Sequence, residues 1–594
     1  NVDGGVQETH ADLVNRFVAC SGTTCSGVSS SHGTHTAGIM AADGSSGVMA
    51  NGGFLRGLGV APGAHLVEQV YSPFFNNPGG MLLLMKDSYN NGASLSGNSW
   101  GPAGSPLGYD DDTLQCDIGV RDAVDTTAGN PAVASVLSII NGSGHGPNPL
   151  APGTQGTPDE GKNLFTIGST KMQLSGAGTQ LEVDDISTNS AHGPCLDGRI
   201  IPHMVAPGCS VDSTITTSTH GLLCGTSMAS PHVTGAVALF IQHYRGLPDY
   251  TVDPSPALVK AAFLAVGRDL VGHLDAEGGT LGHPFDRKQG WGRMDIEAVL
   301  DPEVAVRYFD NPVLFNNTGE QWTQTVSADD PSKPVKIMLV WTDAPGHGLG
   351  GNTPAWNNDL NLVVEEGANV YKGNVFGGSG YSVTGGVADN KNNTEGVFIG
   401  PTAPSAYTIK VTAANITSDG VPNTGDTTDQ DFALACINCA LEPGFTLAAT
   451  PSPQSICTPD NAVFKIELGQ VMGYFEKVSM TASGNPLGTT ANIVPNNVRP
   501  PRSVTLTIGN TGAAVPGQYD ILITGTSDAI VRSTTVRLNV FTAAPAAPTL
   551  LTPLDAASNQ ALRPNFTWTP APQSSTYDIQ IAAVLAFTAS VNSA

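Results

Sequence analysis

The chain has no run of eighteen or more apolar residues, so it holds no stretch that could cross a bilayer as a helix. Charge is scarce, and positive charge most of all. Of 594 residues, 13% are charged, and 26 Lys and Arg face 51 Asp and Glu for a net charge of −25. That balance excludes the basic surface that nucleic acid or an anionic membrane requires. Aromatics make up only 6%, with no stripe of them suited to stacking on sugars. Cysteines are nine, an odd count, and Cys436-Ile-Asn-Cys439 has no second Cys-x-x-Cys to complete a four-thiolate zinc site. Cys20 and Cys25 bracket a short polar loop, and Cys457 lies just beyond Cys439. These read as disulfides of an exported protein, with zinc at Cys436 and Cys439 as the alternative. No signal peptide is visible. The chain starts at Asn1 in what reads as mid-strand, so both ends are expected to be truncated.

What is present is Gly (70) and Pro (42), with many Thr, Val and Asn. The length implies three or four domains. Asn1 to Val6 reads as a strand end running into a Gly turn, with Asp3 at the end and His10 and Asp12 in the polar loop after it. Ser30 to Met40 reads as a close-packed helix. His32 and His35 share one face of it, but no Glu stands between them as a zinc-peptidase helix would need. Gly57 to Val67 reads as a turn feeding a strand, and Met81 to Met85 as helical. Leu95 to Gly101 reads as a short strand, Ala132 to Ile140 as a buried one, and Leu164 to Gly168 as another. Alternating strands and helices predict a parallel sheet with helices on both faces, an α/β domain. Sites in such sheets form at the strands' carboxyl ends, where Asp3, Trp100 and Asn141 fall.

Cys224 to Val233 carries Ser227 ahead of an apolar run. Ala229, Val233, Ala236, Val237 and Phe240 recur at spacings of three and four, one buried helical face. Ser227 therefore sits at a helix N-terminus, where free N–H groups favour developing negative charge. Taken alone, such a serine reads as an N-cap.

Asp3-Gly4-Gly5, His32-Gly33-Thr34-His35-Thr36-Ala37-Gly38 and Gly225-Thr226-Ser227-Met228-Ala229-Ser230-Pro231-His232 resemble the three signatures of the subtilisin-like serine peptidases, in the order Asp, His, Ser. Ala206-Pro207-Gly208 is similar to the segment upstream of the family's serine. The resemblance covers about residues 1–300. With Asn98 to Gly101 and the region after it, it is nearest to alkaline subtilases that carry a C-terminal jelly-roll β-barrel. It implies Ser227 as nucleophile, His32 as general base and acid, and Asp3 as the group that orients the imidazole. His35 is left structural. It implies Asn141 and the Ser227 N–H as the oxyanion hole, although Ile139 and Ile140 precede Asn141 where the family has small residues lining the specificity pocket. Ile139 and Ile140 thus predict a narrow pocket that takes small side chains. Ser99, Trp100 and Gly101 are expected to pair with substrate backbone. No cofactor is needed for the chemistry.

From Asp301 the pattern turns all-β, with strands at 335–341, 360–364, 396–399 and 407–411, a sandwich or jelly roll. Its Asp343, Asp359 and Asp389 lie in Asp/Asn-rich segments that read as structural calcium ligands or as Asx turns. The domains expected are a peptidase domain at 1–300, a jelly-roll-like barrel at 301–440, an immunoglobulin-like sandwich at 441–541, a linker at 542–548 and part of a fibronectin-III-like module at 549–594. The functional expectation is a secreted bacterial serine endopeptidase, monomeric, acting on proteins or peptides. The alternative is a catalytically silent relative that binds matrix or cell surface through its β modules.

Overall fold

The computed structural model describes residues 1–594 except 102–106, 143–157, 173–181, 248–251, 402–405, 442, 472–473, 529, 543–546, 555–564, 572–579, 583–589 and 594. Most of the expected linker at 542–548 and the 577–579 part of the last module lie outside the described residues. The chain divides into two compact units, 1–440 and 441–594.

The first unit opens with a seven-stranded sheet in the order β2-β1-β3-β4-β5-β6-β7. The strands are β1 (Val2–Asp3), β2 (Gln69–Val70), β3 (Leu95–Asn98), β4 (Ala134–Ser138), β5 (Phe165–Lys171), β6 (Met204–Ile215) and β7 (Thr219–Cys224). All neighbours are parallel except β6 and β7, which form an antiparallel pair. Every residue of β4 is buried, as expected of a strand covered on both faces. The helices are α1 (Ser31–Ala41), α2 (Gly80–Asn90), α3 (Asp111–Arg121), α4 (Thr226–Arg245), α5 (Pro256–Ala265) and α6 (Ile296–Leu300). The strand expected within 57–67 instead forms at Gln69–Val70, and Leu66 makes only a single bridge to Phe17. Alternation was too short there to fix the start. The β6 and β7 hairpin does not announce itself as strands in the sequence, because Gly, Pro and Cys interrupt its pattern.

After α6 the unit is antiparallel. One sheet has the order β14-β10-β16-β8, from β8 (Val306–Asp310), β10 (Val335–Val340), β14 (Thr394–Ile399) and β16 (Ala433–Ile437). A second holds β9 (Gln321–Ala328), β11 (Asp359–Glu366), β12 (Asn369–Phe376), β13 (Ser382–Thr384), β15 (Ala406–Asn415) and β17 (Cys439–Leu441). The hydrophobic core does not stop at residue 300. One cluster joins Val136, Phe165, Ile167, Val233, Phe240, Leu258 and Phe263 to Met338, Val340, Phe398, Ala433 and Ala435. Helix α5 packs on β10 and β16, so it belongs to both layers.

The second unit holds two four-stranded sheets, β18-β20-β23-β22 and β19-β25-β24-β21, formed by β18 (Gly444–Thr450), β19 (Gln454–Cys457), β20 (Ala462–Val471), β21 (Ser479–Ser483), β22 (Thr490–Val494), β23 (Arg502–Gly509), β24 (Gly517–Ser527) and β25 (Ile530–Phe541). Alternate residues of both, among them Phe464, Ile466, Leu506, Ile521, Ile523 and Leu538, fill one core, which makes it a β-sandwich.

Three disulfides are formed: Cys20–Cys25, Cys436–Cys439 and Cys209–Cys224. The third went unread in the sequence. It joins β6 to β7 two residues before α4 begins. Cys457, expected among the bridged cysteines, carries a free exposed thiol.

Candidate active site

Asp3 ends β1 and is buried. Its Oδ1 accepts the Gly4 N–H at 2.7 Å, and its Oδ2 accepts the Thr36 hydroxyl at 3.2 Å. His32 Nδ1 lies 2.9 and 3.0 Å from the two carboxylate oxygens. A nitrogen facing a carboxylate carries the proton, so Nε2 keeps its lone pair. The close approach of α1 to β1 depends on Gly33. A Cβ there would stand 2.1 Å from the Gly5 carbonyl oxygen. Burial works to lower the His32 pKa, but the Asp3 hydrogen bond and charge outweigh it and the pKa rises above its ordinary value. The Asp3 side chain is 2% exposed and that of His32 41%, so the ring remains open to a reactant.

His35, three residues on, is different. Its Nε2 lies 3.1 and 3.0 Å from the carbonyls of Val211 and Gly221. Burial lowers its pKa to about 4, so it is a neutral pin between α1 and the β6–β7 hairpin. His232 is likewise tied to backbone, to the Met228 carbonyl at 2.8 Å and to the backbone of Pro207.

Ser227 is the second residue of α4, and the N-cap is Gly225. The N-cap reading therefore fails, and the hydroxyl is free of a capping role. It donates to the Ser99 carbonyl oxygen at 3.1 Å. Its own N–H, in the first turn, has no intrahelical acceptor. Asn141 follows β4 and is fixed by its amide oxygen, which accepts the Thr226 N–H at 2.9 Å and the Thr226 hydroxyl at 3.2 Å. With the oxygen so engaged, Nδ2 is the amide's donor end. Trp100 is clamped by Tyr71, stacked at 5.0 Å, and by Phe75 at 5.9 Å.

One cavity of about 250 Å³ is lined by Asp3, His32, Ser99, Trp100, Gly101, Ile140, Asn141 and Ser227. Ile139 is not among them. Successive strand residues point to opposite sides, and Ile139 is buried against Ala191, Cys195 and Ile201. Its expected pocket role is corrected on that ground. Asp159, unread in the sequence, lines the cavity instead. Its Oδ2 accepts the Ile140 N–H at 3.1 Å, and burial drives its pKa well above the usual carboxylate range.

The calcium expectation also changes. Asp343 is taken up by Lys162 at 2.6 Å and by the N–H groups of Asn357 and Asn358. Asp389 accepts from Asn374, Lys391 and Asn392. Burial, then the charges of Asp389 and Asp343, push Asp359 up to about 6. The Lys162 ammonium already neutralises the buried Asp343 carboxylate, which weakens Asp343 as a calcium ligand. Among the described residues, the one group of three His, Cys, Asp or Glu ligands with atoms within 4.8 Å of one another is His10, Asp12 and His220.

The model of the subtilase family matches residues 2–292. That stretch belongs to the subtilase family. Subtilisin DY of Bacillus licheniformis is 28% identical over 254 residues, 41% of this chain and 76% of that protein. The serine protease/ABC transporter B family protein tagA of Dictyostelium discoideum is 27% identical over 275 residues, 39% of this chain but 14% of the relative. Tripeptidyl-peptidase 2 of Drosophila melanogaster is 31% identical over 174 residues, 11% of its length. Among solved structures, a cold adapted subtilisin-like serine proteinase is similar at 21% identity and a TM-score of 0.33, over 49% of this chain and 86% of that one. The subtilase match ends at 292, so the antiparallel sheets that follow lie outside it. No described helix is long and apolar enough to cross a membrane.

Proposed function

We propose that the chain is a serine endopeptidase in which Ser227 attacks the peptide carbonyl, His32 moves the proton and Asp3 holds the imidazole. The single observation that carries this is the Asp3–His32 contact at 2.9 Å on a cavity that Ser227 also lines. A serine hydroxyl is a weak nucleophile until a base takes its proton. His32 Nε2 is left free for that role, and the imidazolium formed is stabilised by Asp3 before the proton passes to the leaving nitrogen. The Ser227 N–H and Asn141 Nδ2 supply the two donors for the oxyanion. Substrate backbone lies along Ser99 to Gly101 as an added strand.

The three disulfides support an oxidising compartment, so the enzyme is read as secreted. Protein or peptide is the substrate class. Labelling with a fluorophosphonate, abolished by Ser227→Ala and by His32→Ala, tests the reading. Labelling that persists in Ser227→Ala overturns it, as does an intact folded chain that takes up no label.

A further inference from the structure

His10 and Asp12 lie in the loop after β1, and His220 lies in β7, 208 residues from Asp12. None belongs to the site above. Their side chains are 0%, 0% and 3% exposed. His10 Nε2 stands 2.9 Å from the Thr219 carbonyl oxygen. Only an N–H makes that contact favourable, so Nε2 holds the ring proton and Nδ1 offers its lone pair. The Asp12 N–H reaches that nitrogen at 3.2 Å. Asp12 Oδ2 also faces it, at 3.7 Å, so two acceptors confront each other with no proton between them. His220 Nε2 stands 2.7 Å from the same oxygen. Ser46 donates to Asp12 through its hydroxyl at 3.0 Å and its N–H at 2.6 Å. Gly57, at φ +66°, keeps the space beside this contact open. A Cβ there would lie 2.3 Å from Asp12 Oδ2 and 2.6 Å from His220 Nε2.

We propose that His10 Nδ1, Asp12 Oδ2 and His220 Nε2 form a binding site for a zinc-class divalent cation. Two imidazoles and one carboxylate suit zinc and its transition-metal neighbours, whereas calcium takes oxygen ligands. Metal–ligand bonds of about 2.0–2.2 Å in a tetrahedron set ligand atoms roughly 3.3 Å apart. Two of the three separations, 2.7 and 3.7 Å, straddle that distance and all three lie within 4.8 Å, so side-chain adjustment that releases the Asp12 N–H from His10 Nδ1 would seat the ion. The His220 proton then sits on Nδ1. The Thr219 carbonyl keeps the His10 tautomer as it is, the outer-shell arrangement that metal-bound histidines use. Occupancy ties the loop that follows Asp3 to the strand that leads into Ser227, and metal bound only by the folded chain stabilises it.

The test uses the full chain carrying Ser227→Ala, to stop self-digestion, and Cys457→Ser, to remove the exposed thiol. Titration with Co²⁺ is expected to give one saturable equivalent with the visible bands of four-coordinate cobalt. Zn²⁺ should bleach those bands and raise the Tm. His220→Gln and Asp12→Asn should each weaken binding by roughly a hundredfold or more. His65→Gln, at an exposed histidine, should leave it unchanged. A parent protein that shows no cobalt bands and no metal-dependent Tm overturns the proposal, whatever the variants do. Binding that survives both His220→Gln and Asp12→Asn overturns it equally.

Discussion

Lys162 and Asp343 form an ion pair at 2.6 Å with both side chains 1% exposed, across 181 residues of sequence. The lysine belongs to the subtilase domain and the aspartate to the antiparallel region after it. Removing one partner leaves a buried charge without its counterpart. Lys162→Met is expected to cost about 3–5 kcal/mol, read as a lower urea midpoint. The double variant Lys162→Met with Asp343→Leu should recover much of that loss.

The shared core leads to a prediction about truncation. Residues 1–300 alone expose the face of α5 that now packs on β10 and β16 within the shared core. That fragment is expected to aggregate or remain unfolded. Residues 1–440, a compact unit, should give a cooperative melt.

The pH dependence of kcat/KM follows from His32. In the proposed mechanism only the neutral ring can accept the serine proton, and the His32 pKa is raised. The acid limb should therefore lie above the ordinary imidazole value of about 6.5, with activity falling as pH falls through it. The same shift acts on stability in the opposite sense. The protonated ring's contribution is complete below about 6.5 and is lost as pH rises through the raised folded value. Asp3→Asn should move the limb downward and cut kcat by about ten thousandfold.

Asn141→Ala removes one proposed oxyanion donor while the Ser227 N–H remains. The expectation is a fall in kcat of about a hundred- to a thousandfold with KM nearly unchanged, from steady-state kinetics on a peptide amide. A loss confined to KM would assign Asn141 to ground-state binding instead.

Ile140 lines the cavity and its N–H holds Asp159, so on the proposed function the pocket for the residue before the scissile bond is expected to be narrowed on that side. A peptide library should show small residues preferred before the scissile bond. Ile140→Gly should raise the rates for Phe and Tyr at that position by about tenfold or more. Strong preference for Phe or Tyr in the parent would refute the narrow pocket.

The convergence of Asp3, His32, Ser227 and Asn141 on one cavity was legible because each sits at or just past the end of a predicted element, where type and position can be read together. Ile139 misled because its neighbour shares the cavity and strand alternation turned it the other way. Asp159 was silent, since it reaches the cavity from a loop with no periodicity. The Cys209–Cys224 bridge was unreadable for a similar reason. Its partners meet only through the register of two strands broken by Gly and Pro. His10, Asp12 and His220 shared no local pattern, because folding alone brings residues 208 apart together.

That bridge closes a ring between residues 15 apart, and the ring holds the turn from β6 into β7. A hairpin can slip by one residue and turn every side chain to the other face. A covalent ring forbids that slip. Gly225 follows directly on Cys224, so the entry to the serine helix inherits a fixed phase. The bond thus acts as a locating pin for Ser227, the proposed nucleophile. In a reducing medium the hairpin is free to lose register before the sheet behind it melts.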